Sequence, residues 1–364
     1  MKFTPENVKF MQHALNLAKK GRHKVFPNPM VGCVIVKNSK IIAEGYHKVF
    51  GALHAEADAL NSAGLHAKGA DLYVNLEPCC NFGKRPPCAD YIINSGISRV
   101  FVSHADPNPL TRNNGIKKLK VAGVAVYTGL LEKEAKLLNK DYINHIKKTK
   151  NFVSVKYAMT LDGKIATRSY SSKWITGEAA RKYTHKLRAG YNAVLAGFNT
   201  VIKDNPSLTV RGGSKPVGQP VRIVIDQSLK TPKNYNVLNS EAATVFVCDE
   251  KIKKVPAYFL KDGIIILKIN FEKFKEDFKL LISRLNDISI KTIFIEGGGE
   301  TIASALFSGA VNKVYAFVAP SVIGGKTAIS PVGGIGVNEI SNALKIKKLT
   351  VKKIGKDFLF EGNL

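Results

Sequence analysis

His54-Ala-Glu56, Glu77-Pro-Cys79 and Pro86-Pro-Cys88 hold the side chains of this sequence whose types and spacing suit metal chemistry. A catalytic zinc takes three protein ligands and keeps a fourth position open for water. One imidazole, from His54, and two thiolates, from Cys79 and Cys88, meet that need. Glu56 lies two residues past His54, in what reads as the first turn of a helix. It therefore stands near the metal without ligating it, placed to take a proton from a zinc-activated water and pass it to a departing amine. Cys79 follows a strand and a proline, at the kind of sheet edge where α/β sites form. Cys88 opens a helix, where the dipole favours a thiolate. The arrangement is that of H-x-E with P-C-x-x-C in zinc deaminases, except that eight residues, CNFGKRPP, separate the two cysteines here. Cys80 is a competing thiol. A set of His54, Cys79, Cys80 and Cys88 would make a closed structural site, and that alternative leaves Glu56 without a role.

Composition narrows the class. The chain has five cysteines, an odd number, and three of them fall within ten residues. That is a poor disulfide framework and a better ligand cluster. Cys33 and Cys248 sit in apolar strands and read as core thiols. The net charge of +27 is spread evenly, +12 over the first 150 residues and +15 over the rest, so no basic arm emerges. A nucleic-acid deaminase with an RNA-binding second half would use such charge, but no aromatic stacking motif accompanies it. A zinc-stabilised scaffold with no activity is a third reading, and the intact Glu56 speaks against it. No apolar run approaches the roughly 18 residues of a membrane span. The first 20 residues read as an amphipathic helix, with Thr4 as N-cap, Pro5 at the first position, and Val8, Met11, Leu15 and Ala18 on one face. Cytoplasmic location, with neither membrane nor nucleic acid as partner, is the expectation.

The length of 364 residues suggests two or three domains. Strands are expected at 31–36, 41–47, 70–78, 99–104 and 124–130, and helices at 54–63, 88–95, 116–122 and 132–148. After a linker at 147–151, strands follow at 152–159, 193–197, 221–226, 244–248, 264–267, 292–297 and 313–320. Helices at 178–189, 271–285 and 301–308 separate them. The alternation predicts an α/β class with largely parallel sheets. In the second half, TIFIEGGGET (292–301) reads as strand, glycine turn and helix, a place where backbone amides approach a phosphate.

Several motifs occur in order: PNPMVGCVIV (27–36), GYH (45–47), GALHAE (51–56), NLEPC (75–79), GKRPPC (83–88) and DPNP (106–109). The second half adds KYAMTLDG (156–163), SKWIT (172–176), DNPSLTVR (204–211) and EGGG (296–299). Together these resemble the RibD family of riboflavin biosynthesis, a pyrimidine deaminase fused to a pyrimidine reductase. The long spacing between cysteines separates this family from cytidine and RNA deaminases.

The resemblance implies a cytidine-deaminase-like α/β/α sandwich over residues 1–148 and a dihydrofolate-reductase-like α/β domain over 149–364. It implies zinc ligands His54, Cys79 and Cys88, with Glu56 as proton shuttle. It implies hydrolytic deamination of 2,5-diamino-6-ribosylamino-4(3H)-pyrimidinone 5′-phosphate, then NADPH-dependent reduction of the ribosyl group to ribityl, and a homo-oligomer. Ala158, Trp174, Thr200, Asp204 and the loop Gly297, Gly298, Gly299, Glu300 and Thr301 match positions contacting NADP(H). Ser172, Arg188, Leu208, Arg211 and Glu296 match substrate positions, and the two arginines suit phosphate as planar, permanent cations. Lys156 and Asp162 are given a supporting role only. Arg85 replaces the family's usual Thr. LTRNNG (110–115) replaces a V-x-G-x-G-like loop.

Overall fold

The computed structural model describes residues 3–22, 24–80, 87–108, 111–148, 151–169, 171–212 and 218–364, without the side chains at 144, 145, 147, 148, 275 and 276. Arg85, Leu110 and part of the expected linker lie outside the described residues. The chain divides into two compact units, Met1–Thr149 and Lys150–Leu364.

The first unit runs α1 (Pro5–Lys19), β1 (Gly32–Lys37), β2 (Lys40–Tyr46), α2 (Ala55–Ala63), β3 (Asp71–Val74), α3 (Cys88–Asn94), β4 (Arg99–Val102), α4 (Asn114–Val121), β5 (Ala125–Thr128), α5 (Glu132–Leu138) and α6 (Lys140–Lys148). Thr4 caps α1 as expected, in a capping box with Asn7, and Pro5 starts the helix. The buried face of α1 is Phe10, Met11, Ala14, Leu15, Leu17 and Ala18, whereas Val8 faces solvent. Asn38 and Ser39 both take positive φ and close a two-residue hairpin between β1 and β2.

Sheet order is β2-β1-β3-β4-β5, with β3, β4 and β5 parallel and β1 antiparallel to both its neighbours. The period-2 alternation of β1 sends Cys33 and Ile35 to one core and Val34 and Val36 to the other. The first core lies under α2, the second under α1. Gly45 lets α2 come down on β2, because an added Cβ would stand 2.5 Å from the Ala55 carbonyl oxygen. That close approach fixes the first turn of α2, which follows His54.

One long helix was expected at 132–148, and two form. The buried Asn139 breaks it. Its side chain accepts from Met30 N (2.8 Å) and donates to Met30 O (2.9 Å), and Asn75 donates to the same carbonyl (3.0 Å). Two side-chain amides thus hold the PNPM segment against the sheet.

The second unit runs β6 (Phe152–Thr160), α7 (Glu178–Arg188), β7 (Ala193–Gly197), α8 (Phe198–Asp204), β8 (Val221–Ile225), β9 (Thr244–Asp249), β10 (Ile264–Ile269), α9 (Phe271–Glu276), α10 (Lys279–Asn286), β11 (Thr292–Ile295), α11 (Gly299–Phe307), β12 (Lys313–Ala319), β13 (Lys347–Ile354) and β14 (Asp357–Asn363). Its sheet order is β10-β9-β8-β7-β11-β6-β12-β14-β13, parallel from β10 to β12. β14 and β13 close it antiparallel. The helix expected at 271–285 is two helices, because Asp277 turns extended and accepts from Lys279 N (2.8 Å) at the start of the second. α8, β13 and β14 were not anticipated. Cys33 and Cys248 are fully buried, as core thiols should be. Among the described residues, no helix is long and apolar enough to cross a membrane.

Asn139→Ala leaves the Met30 N–H unpaired, a loss of about 2 kcal/mol. The full-length protein should then begin to melt about 4–8 °C lower by calorimetry. A first transition within about 1 °C of wild type would show that Asn139 does not hold this segment.

Candidate metal centre and reductase site

Three elements of the first unit deliver the ligand set. His54 is the residue before α2 and makes no capping bond with its side chain. Cys79 follows β3 by way of Pro78, and Cys88 is the first residue of α3. His54 Nδ1 lies 3.3 Å from Cys88 Sγ and 3.6 Å from Cys79 Sγ. All three donor atoms fall within 4.8 Å of one another, and this is the metal-competent group of His, Cys, Asp and Glu among the described residues. Zinc bond lengths predict tetrahedral edges of about 3.6 Å between N and S and about 3.8 Å between two sulfurs, so the set fits that ion. Cys80 is not part of the cluster, so the closed Cys₃His alternative is not assembled. His54 is exposed and Cys79 half-buried, which puts the set at a surface that ligand can reach.

Burial pushes the Glu56 carboxyl up to about 7, with the neighbouring His54 pulling the other way. A hydrogen bond from the Cys88 thiol, followed by contact with His54, holds Cys79 down to about 4. Its bond to the Cys79 sulfur and burial push Cys88 up. The Cys88 backbone N–H donates to Cys79 Sγ (3.3 Å), and the Ala89 N–H to the Cys79 carbonyl (3.0 Å).

His47 proves to be a neighbour of the centre. Its ring meets that of His54 edge-on at 5.5 Å. Its Nδ1 faces the Leu53 carbonyl (2.9 Å) and its Nε2 faces the Asn28 amide (3.2 Å), and burial pushes its pKa down to about 4. A neutral imidazole with Nδ1–H satisfies both contacts. His104 is buried in the segment after β4, and its carbonyl accepts from Glu77 N (3.0 Å). Burial pushes Asp106 up to about 6, and its Oδ1 accepts from Asn108 N and the Tyr142 hydroxyl.

In the second unit, the cluster forms at the end of β11. Glu296 follows that strand and makes a two-pronged ion pair with Arg188, the last residue of α7 (Nε to Oε1, and Nη2 to Oε2 at 2.9 Å). Arg188 Nη1 also donates to the Thr209 carbonyl (2.9 Å). Both side chains are mostly buried, so the pair is not a surface salt bridge. Burial opposes the Glu296 charge, but Arg188 outweighs it and holds the carboxyl below its usual range. Lys156 on β6 is the third charge of the cluster. Burial pushes its ammonium down, Glu296 pulls it up and Arg188 pushes it down again. Its place within an apolar-rich central strand is the sequence signal for such a charge.

The glycine loop packs tightly. A Cβ on Gly297 would meet the Thr301 side chain at 2.9 Å, and one on Gly298 would stand 3.2 Å from Thr200 Oγ1. A Cβ on Gly299 would meet Gly333 N and Ser330 O at 3.0 Å. Glu300 accepts from Gly334 N (3.2 Å). Gly298 caps α11, whose first-turn N–H groups open onto this loop. Trp174 is 70% exposed, with the Arg181 guanidinium 4.4 Å above its ring. Leu208 is buried with φ of 51°, and Arg211 N donates to His185 Nδ1 on α7 (3.2 Å). Ala158 lies half-buried on β6, Ser172 half-buried after it, and Asp204 ends α8. No hydrogen bond or ion pair among the described residues joins Ser172, Trp174 or Asp204 to the Arg188–Glu296 pair.

Residues 5–104 match the family described as the cytidine and deoxycytidylate deaminase zinc-binding region, and residues 151–360 match the RibD C-terminal domain. The chain is 41% identical to riboflavin biosynthesis protein RibD of Actinobacillus pleuropneumoniae, over 98% of this chain and 95% of that one. It is 42% identical to RibD of Aquifex aeolicus, over 96% of each. Among solved structures it is similar to the Thermotoga maritima diaminohydroxyphosphoribosylaminopyrimidine deaminase/5-amino-6-(5-phosphoribosylamino)uracil reductase (35% identity, 98% of each chain, TM-score 0.53). It is also similar to Acinetobacter baumannii RibD (33%, 99% of each chain, TM-score 0.54). The first half accordingly has a cytidine-deaminase-like fold and the second a dihydrofolate-reductase-like fold.

If His54, Cys79 and Cys88 form the set, purified Cys80→Ser should carry about one zinc per chain by elemental analysis, and Cys88→Ser close to none. Equal zinc in both variants would contradict the three-ligand set.

Proposed function

The chain belongs to the RibD family of deaminase/reductases in riboflavin biosynthesis, and on that premise we propose how its own residues share the work. Residues 1–148 form the deaminase and 149–364 the reductase. The substrate of the first half is 2,5-diamino-6-ribosylamino-4(3H)-pyrimidinone 5′-phosphate. His54, Cys79 and Cys88 hold zinc. When bound there, zinc would supply the acidification of a water. Glu56, buried beside the set, would take a proton from the attacking water and deliver it to the 2-amino nitrogen. The carbon–nitrogen bond breaks, oxygen replaces nitrogen on the ring, and ammonia leaves. The observation that carries this reading is the convergence of His54, Cys79 and Cys88 beside a buried, non-ligating Glu56.

The second half reduces the ribosyl group of the deaminated product to ribityl, with NADPH supplying the hydride. Backbone amides of Gly297, Gly298 and Gly299, with Glu300 and Thr301, receive the cofactor at the start of α11, beside Thr200. Ala158, Trp174 and Asp204 complete the cofactor contacts. Ser172, Arg188, Leu208, Arg211 and Glu296 receive the substrate. Arg188 spends three N–H groups on Glu296 and Thr209, so Glu296 orients the guanidinium and only its remaining N–H groups face a ligand. Arg211, exposed and not paired in this way, is the stronger phosphate contact. Cytoplasmic location and homo-oligomerisation are part of the proposal and rest on the family.

Mass spectrometry of the diaminopyrimidine phosphate incubated with enzyme tests both steps. Without NADPH, the substrate should gain about one mass unit as OH replaces NH₂. With NADPH, a further gain of about two should follow. Absence of the first gain would defeat the deaminase assignment, and the first without the second would defeat the reductase assignment.

A further inference from the structure

Glu77 is 3% exposed, two residues before Cys79, and the deaminase mechanism does not use it. Its carboxylate accepts four backbone N–H groups. Oε2 takes Asp106 N (3.0 Å) and Asn113 N (2.9 Å); Oε1 takes Gly115 N (3.1 Å) and Ile116 N (3.2 Å). An ionised carboxylate has about four acceptor positions, so all are filled by amides alone. Gly115 and Ile116 belong to the first turn of α4, where orphan N–H groups and the helix dipole favour a negative charge.

The two sides also touch directly. A Cβ on Gly115 would stand 1.9 Å from the Pro78 carbonyl oxygen, so α4 rests on the short stretch of chain between Glu77 and Cys79. Asn113 and Gly115 of the departure LTRNNG belong to this contact. Asn113 takes φ of 62°, a left-handed conformation that glycine favours and asparagine tolerates best among other residues. It stands where the family pattern has its first glycine, and its N–H still reaches Glu77.

We propose that Glu77 is a positioning residue of the deaminase half, holding the stretch before Cys79 to Asp106, Asn113 and the first turn of α4 through these four amides. The proposal rests on the deaminase reading above. It assigns Glu77 no contact with substrate or with the reacting atoms. Its effect is to keep Cys79 in register with His54 and Cys88.

Glu77→Gln tests it in the full-length, zinc-loaded protein. The amide keeps the shape but turns an NH₂ group against two backbone donors. Well below its melting midpoint, the variant should release zinc to EDTA at least about tenfold faster than wild type. Deaminase kcat/KM should fall by at least about tenfold, while reductase kcat on the deaminated pyrimidine stays unchanged. Wild-type zinc retention and deamination, accompanied only by a lower melting temperature, would overturn the proposal and leave Glu77 a stabilising residue. Should Glu77→Gln not fold, Glu77→Asp, which shortens the reach of the carboxylate to the four amides, carries the same test, and wild-type zinc retention there would equally overturn it. Failure of the wild type itself to deaminate would defeat the deaminase reading, whereas the EDTA comparison would still judge Glu77.

Discussion

Two thiols and an imidazole sit closer together in this protein than uncompensated groups would choose. His54 Nδ1 lies 3.3 and 3.6 Å from two sulfurs, the spacing that a shared cation favours. Local chain geometry alone cannot impose that crowding, because the three residues enter from three elements. The first unit supplies the restraint from outside. Gly45 admits α2 to the sheet, Asn75 and Asn139 fix the PNPM segment, and Glu77 binds the loop before Cys79 to α4. Each device uses buried hydrogen bonds or close backbone contact, which lose free energy steeply when displaced. Preorganisation of this sort suits a site that must present one open coordination position.

The second unit solves a different problem. A reductase needs little acid–base chemistry of its own, because its cofactor carries the electrons. It needs orientation and charge. The Arg188–Glu296 pair, mostly buried and backed by Thr209, fixes the direction of the guanidinium. Lys156 then feels an anion and a cation at once. The glycine loop offers backbone where side chains would collide.

The His54–Cys79–Cys88 cluster was legible because its signature is local. His54 and Glu56 share a turn, and each cysteine follows a proline. The alternation of β1 and the Thr4 cap were readable for the same reason. What escaped the sequence depends on distant partners. Glu77 lies in a quoted motif, yet its four donors are backbone amides 29 to 39 positions away, which carry no side-chain signature. Asn139 sits in a charged stretch that helix propensity alone would continue, and only its bonds to Met30 break it. β13 has the sequence KKLTVKKI and is exposed along nearly all its length, so no buried face marks it as a strand. α8 follows β7 without an intervening loop, leaving no turn residues to announce it.

The proposed function turns on Glu56 as the group that moves a proton beside the three ligands without binding metal. Zinc content and both activities of Glu56→Gln, measured on the same preparation, test that most directly. About one zinc per chain, deamination reduced by at least about 100-fold and unchanged reduction of the deaminated pyrimidine are the expected results. Deamination at the wild-type rate in a zinc-loaded Glu56→Gln protein would contradict the account.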